Sequence, residues 1–192
     1  EFFQSCTFKP FIGRTVRAIK VHAEMSKGFH EKLLSFATGM GMGGLGYLEV
    51  ADDLTYKGPI DKFIPDELKS ELAAIAGLEP GDTIFFIADK EERANYYAGQ
   101  LRNELGDKLE LCEKCAYRFC YINDFPMYEL DPGTKQIGFT HNPFSMPQGG
   151  LEALNSENPL DILAYQYDIV CNGVELSSGA VRNHDMEIMV KA

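Results

Sequence analysis

Hydrophobic positions change period several times along the chain, and each change predicts an element. Residues 14–21 (RTVRAIKV) are short and β-branched, which reads as a strand. In 26–37 (SKGFHEKLLSFA), Phe29, Leu33, Leu34, Phe36 and Ala37 fall near helical spacing, and Ser26 is placed to cap the first turn. A second strand is predicted over 45–50. Residues 65–76 (PDELKSELAAIA) open on a proline and are followed by Gly77, which predicts a helix with Pro65 at its first position. The apolar run TIFFIA over 83–88 predicts another strand. An amphipathic helix over 91–105 is expected to stop at Gly106. These signals describe a mixed α/β unit of about a hundred residues, close to the common domain size.

The pattern changes after a polar stretch at 107–117, where a domain boundary is expected. Residues 119–122, 127–130 and 137–140 read as strands, with Asp131-Pro132-Gly133-Thr134 as the turn between the last two. A small helix is predicted over 151–155. Strands over 165–171 and 174–176 then flank Asn172-Gly173, the strongest short-range hairpin signal. Strands joined by tight turns imply an antiparallel sheet. The expected fold class is therefore α+β. No internal repeat is visible.

Composition narrows the function classes. The chain has 192 residues, with 18 Lys and Arg against 29 Asp and Glu, for a net charge of −11. Nucleic-acid affinity rests on basic residues neutralising phosphates, so a free-standing DNA or RNA binder is disfavoured. The acidity concentrates after residue 118, where three basic residues face ten acidic ones. No apolar run reaches membrane-spanning length, and no basic-then-apolar leader opens the chain. The expectation is a soluble cytoplasmic protein. The chain opens on Glu1 without an initiator Met and closes in what reads as a helix starting at Asp185, so it is expected to be an excised fragment.

Two tempting motifs carry little. Gly41-Met42-Gly43-Gly44-Leu45-Gly46 satisfies G-x-G-x-x-G, but that fingerprint needs a strand before it and a helix after it. Here a helix precedes and a strand follows, so a plain glycine-rich connection is expected. Cys112-x-x-Cys115 with Cys120 nearby lacks the fourth ligand of a tetrahedral zinc site, and no zinc is expected. With Cys6 and Cys171 the cysteines number five, an odd count that favours reduced thiols.

The chemistry-bearing residues lie in the second part. A two-residue turn sets Cys171 against Val174, Val170 against Glu175, Ile169 against Leu176 and Asp168 against Ser177. Asp168 and Glu175 then share one sheet face. The pair suits a divalent cation such as Mg²⁺ with phosphate oxygens, or a solvated sheet face. Arg182, in a strand of small residues, is placed either to grip a carboxylate bidentately or to form a structural salt bridge. His141 ends a strand before a proline-containing loop, a structural or a ligand-contacting position.

Four blocks of the second part, taken together, resemble the bacterial-type aspartyl-tRNA synthetases of class II. They are Asn123-Asp124-Phe125-Pro126-Met127-Tyr128-Glu129, Thr140-His141-Asn142-Pro143-Phe144-Ser145, residues 167–176 (YDIVCNGVEL) and residues 178–184 (SGAVRNH). They occur in the family's order and near its spacing. Phe8-Lys9-Pro10-Phe11, Lys57-Gly58-Pro59-Ile60 and residues 81–89 (GDTIFFIAD) resemble the insertion domain that splits the family's catalytic core. A related insertion occurs in a subunit of tRNA-dependent amidotransferases.

The resemblance implies residues 1–12 as a connection from the catalytic core, 13–117 as the insertion domain and 118–192 as part of the class II catalytic domain. It implies an aspartate–tRNA ligase that forms aspartyl-adenylate from L-aspartate and ATP with Mg²⁺, then charges tRNA, and works as a homodimer. By position, Arg182 and His141 would contact aspartate. Glu175 and Asp168 would serve ATP and Mg²⁺, and no residue would act as nucleophile or general base. Asn142 stands where the family often has a second histidine, and Leu176-Ser177-Ser178 where it is richer in glycine. The family's anticodon barrel, its dimer motif and both ATP-binding arginines are not in this sequence, so the chain is expected to be inactive alone. Whether the aspartate tRNA alone or also the asparagine tRNA is charged stays open. The rivals are a non-catalytic module associated with tRNA or an amidotransferase, and a paralogous class II ligase with another amino acid or acceptor.

Overall fold

A computed structural model describes residues 3, 8–156 and 158–192. Cys6 and half of the expected 1–12 connection lie outside the described residues. The chain divides into two compact units, 1–112 and 113–192. No helix among the described residues is long and apolar enough to cross a membrane.

The first unit is a four-stranded sheet with helices on both faces. Its elements are β1 (Thr15–His22), α1 (Lys27–Gly39), β2 (Gly46–Val50), β3 (Tyr56–Lys57), α2 (Asp66–Ala76), β4 (Asp82–Asp89) and α3 (Glu91–Lys108). Strand order is β1-β4-β2-β3, and every pairing is antiparallel. The alternation of strand and helix in sequence therefore builds an α+β unit with no parallel pair. β4 lies inside the sheet, and its residues 82–87 are all buried. Ile84 and Phe86 pack with Leu48, Ile60 and Leu72 on one face; Phe85 and Ile87 pack with Leu33, Tyr97 and Leu101 on the other. A strand covered on both faces reads as a continuous apolar run, which is why TIFFIA shows no alternation.

The helix ends refine the sequence reading. Ser26 caps α1 by accepting from the Phe29 N–H, and Gly77 ends α2 in the left-handed conformation. Pro65 is the N-cap of α2, with extended ψ of 147°, and not its first helical residue. Gly106 does not stop α3, which runs on to Lys108. Leu105 stays buried on the sheet, and the missing side chain of Gly106 makes room for Cys112, whose sulfur would lie 3.3 Å from a Cβ there.

Where β1 ends and β4 begins, Asp82 is buried and heavily bonded. It meets His22 Nδ1 at 2.9 Å and Lys20 Nζ at 3.5 Å, and accepts the Glu79 N–H at 2.8 Å. Burial pushes its carboxyl up, but the Glu79 amide, His22 and Lys20 outweigh that and hold it below the ordinary aspartate value. A depressed folded-state pKa gives stability above the unfolded value that is lost as pH falls through the folded one. The unit should therefore lose stability through the acid range below about pH 4. In urea melts at pH 3 and pH 7, Asp82→Asn should narrow the difference between the two midpoints; an unchanged difference would exclude this carboxyl as its source.

The second unit holds short sheets. Its elements are β5 (Phe119–Ile122), β6 (Phe125–Pro126), β7 (Tyr128–Leu130), β8 (Ile137–Phe139), α4 (Gly150–Ser156), β9 (Leu163–Ala164), β10 (Gln166–Cys171), β11 (Val174–Ala180) and α5 (Met186–Lys191). β10 lies between β11 and β5, β6 pairs with β9, and β7 with β8, all antiparallel. A small core gathers Met127, Tyr128, Ile162 and Ala164.

Candidate functional site

The hairpin β10–β11 turns on Asn172 and Gly173, both at positive φ (50° and 81°), which asparagine and glycine tolerate best and which suits a two-residue hairpin. The Asn172 amide also fastens the start of β5. Its Oδ1 accepts the Arg118 N–H at 2.9 Å, and its Nδ2 donates to the Ala116 carbonyl at 2.8 Å.

Next to the turn the pairs are Cys171 with Val174 and Val170 with Glu175, as the loop length dictates. Then β11 bulges. Leu176 has no partner, and Ile169 faces Ser177 while Asp168 faces Ser178. The unbroken ladder expected from the sequence is off by one from here. The reason lies one rung further, where the Tyr167 ring rests on Gly179 and a Cβ would come within 2.6 Å of it. An unbulged ladder would set Ser178 under that ring.

Asp168 and Glu175 still share a face, with Val170, Ser178 and, from β5, Cys120 and Ile122. Asp168 is half-buried and Glu175 exposed. Neither side chain has a hydrogen-bond or ion-pair partner among the described residues, and no cluster of three or more metal-ligating side chains occurs among those residues.

Arg182 lies just past β11, in a bridge with Ser145, and not within the strand. Its guanidinium carbon sits 4.5 Å over the Phe144 ring. No carboxylate pairs with it among the described residues, so the salt-bridge alternative is not realised there. Arg118 differs: Glu113 takes its guanidinium at 2.6 and 2.8 Å.

Three segments close on one another around this point. Met146 N–H donates to the Val181 carbonyl, Val181 N–H to Tyr165, and Tyr165 N–H to Met146, at 2.8, 2.9 and 2.9 Å. Asn142 Oδ1 accepts from the Phe144 N–H at 3.2 Å and from the buried Ser145 hydroxyl at 2.8 Å. His141, one residue earlier, is exposed and meets the Phe125 ring edge-on at 5.3 Å. The 141–145 turn thus joins His141 to Arg182, while no hydrogen bond or ion pair links these two to Asp168 or Glu175 among the described residues. Two buried polar atoms without a partner, Thr140 Oγ1 and Asn183 Nδ2, lie next in sequence to His141 and Arg182.

Other features fall into place. The glycine-rich loop joins α1 to β2 and lines a cavity of about 780 Å³ with Phe11, Ile60 and Phe86. Cys112, Cys115 and Cys120 are exposed free thiols, and Cys171 is a buried one. His30, not singled out in the sequence, stacks on Tyr47 at 3.9 Å and meets Glu49 at 2.8 Å. No spacing signal marks that triplet, because β2 brings Tyr47 and Glu49 to α1 only in the fold.

Comparison with known proteins now bears on the site. Residues 9–98 match the GAD domain family. The whole chain is 52% identical to part of an aspartate–tRNA(Asp/Asn) ligase of Ehrlichia chaffeensis, covering 34% of that protein. It is 46% identical to the corresponding ligase of Anaplasma phagocytophilum, again over the whole chain and 33% of that protein. Over 94% of the chain it is 50% identical to the ligase of Rickettsia felis, 31% of whose length is covered. Over its length the chain resembles one segment of these aspartate–tRNA ligases. It spans about a third of the length of these relatives. The GAD match falls inside the first unit, and the candidate residues of the chain all fall in the second.

Proposed function

We propose that the chain contributes to an aspartate–tRNA ligase, with 13–117 as its insertion domain and 118–192 as part of its class II catalytic domain. The observation that carries this reading is Arg182: an exposed guanidinium held over a ring, with no carboxylate of the described chain to satisfy it. The planar donor fork of arginine matches a carboxylate bidentately, and the side chain of L-aspartate supplies one. His141, next to the turn that carries Phe144, would add a ring N–H donor.

Asp168 and Glu175 suit Mg²⁺, which binds through one or two carboxylates and otherwise keeps water and phosphate oxygens. Bound there with ATP, the ion would neutralise phosphate charge. The chain's own residues orient the aspartate and its counter-charges for an in-line displacement at ATP. Positioning and electrostatics carry such a step, so no side-chain nucleophile or general base is required. The aspartyl group then passes to tRNA. The relatives are named for both the aspartate and the asparagine tRNA, which supports the asparagine tRNA as a second acceptor, and the enzyme would act as a homodimer.

Spanning a third of its relatives, the chain by itself is expected to be inactive. Aspartate-dependent ATP–pyrophosphate exchange should appear with the full-length protein and be absent with residues 1–192. Exchange by residues 1–192 would refute the inactivity of the isolated chain, and its absence from the full-length protein would refute the ligase reading.

A further inference from the structure

The proposed role of Arg182 leaves open what holds a long, exposed side chain in one place. Arginine carries several rotatable bonds, and a guanidinium in water samples many positions unless something fixes it. No hydrogen bond or ion pair of its side chain does so among the described residues; its side-chain contact there is the Phe144 ring.

Resting on the reading of Arg182 as the aspartate contact, we propose that Phe144 is a positioning residue for it, set in place by the Asn142–Ser145 turn. Several observations lock that turn. Asn142 Oδ1 accepts from both the Phe144 N–H and the Ser145 hydroxyl. Ser145 is 1% exposed and bridges to Arg182, and the Asn183 N–H donates to the Phe144 carbonyl at 2.9 Å. The backbone on both sides of Arg182 is thereby tied to the backbone on both sides of Ser145, at Phe144 and Met146. The bridge sets Arg182 opposite Ser145, one residue from the ring that its guanidinium meets.

The arrangement suits a carboxylate site. A ring beneath the guanidinium carbon attracts the cation through its π face and uses none of the five N–H donors. Those donors lie in the guanidinium plane and stay available at its edge. A carboxylate neighbour would fix Arg182 equally well but would consume the fork, as Glu113 does with Arg118. An aromatic partner therefore gives preorganisation without competing with the ligand, and preorganisation lowers the ordering cost of binding. Phe144 is 43% exposed, so shortening it opens no core cavity.

The test uses the full-length enzyme with Arg182→Gln, Phe144→Leu, Phe144→Tyr and the Arg182→Gln/Phe144→Leu pair. Phe144→Leu should raise KM for aspartate about tenfold, with kcat, KM for ATP and the thermal midpoint little changed. Phe144→Tyr, which keeps the ring, should restore the aspartate KM. Phe144→Leu should add nothing once Arg182 is gone. An unchanged aspartate KM in Phe144→Leu, a failure of Phe144→Tyr to rescue, or additive effects in the pair would each overturn the positioning role. If Arg182→Gln itself leaves the aspartate KM unchanged, the reading of the site fails first, and the two failures are told apart.

Discussion

Arg182→Gln in the full-length enzyme should cut kcat/KM for aspartate by roughly thirty- to a thousandfold. Removing one member of a desolvated, hydrogen-bonded charge pair costs about 2–4 kcal/mol, which converts to that range at 1.4 kcal/mol per factor of ten. The loss should fall on aspartate and spare ATP, because the fork is proposed to serve the aspartate carboxylate and no hydrogen bond or ion pair engages it among the described residues. Arg182→Lys should recover little, since an ammonium offers a point charge in place of a planar fork. Discrimination between aspartate and asparagine should shrink most in Arg182→Gln, because the cation is what favours a carboxylate over an amide. Steady-state exchange kinetics with both amino acids read all three effects. An Arg182→Gln enzyme with wild-type discrimination would remove Arg182 from the substrate site.

The largest expected change in stability comes from Phe85→Ala. Phe85 is fully buried in β4, packed with Leu33, Tyr97 and Leu101 and within 6.0 Å of the Tyr47 ring centroid. Phe-to-Ala changes in such cores cost about 3–5 kcal/mol, through lost burial and the cavity left behind. For a unit of this size that lowers the melting temperature by roughly 15 °C or more. Circular dichroism melts of the isolated chain measure it. If the chain melts in two steps, the step belonging to residues 1–112 should move and the other should stay. A fall of only a few degrees would mean the core closes around the gap.

Much of this fold was legible because local chemistry decided it. Ser26 acts through its own side chain and Gly77 and Asn172-Gly173 through their own backbone conformations, and each stands where sequence places it. Gly106 misled because its helix-breaking tendency is weaker than the burial of Leu105 one residue earlier. The antiparallel sheet order was not legible, since nothing in a strand's residues states which neighbour it will pair with. The same limit applied to the site. Asp168 and Glu175 sit across a tight turn, so their shared face followed from counting. The seat of Arg182 on Phe144 joins residues 38 positions apart through the Ser145 bridge, and no local period reports it. The bulge at Leu176 was hidden for a related reason: it answers to Tyr167 lying on Gly179, a contact outside the turn.

That bulge also decides which changes of length the hairpin can absorb. Leu176 is a spare residue in the ladder, so deleting it would leave Glu175 opposite Val170 and Ser178 opposite Asp168. Everything downstream would keep its phase, and Arg182 would still arrive at Ser145. Loss of any single residue between Ser178 and Val181 has no such slack behind it. It would turn the arginine to the other side of the chain. Relatives of this hairpin should therefore vary in length by one at the bulge and not beyond it.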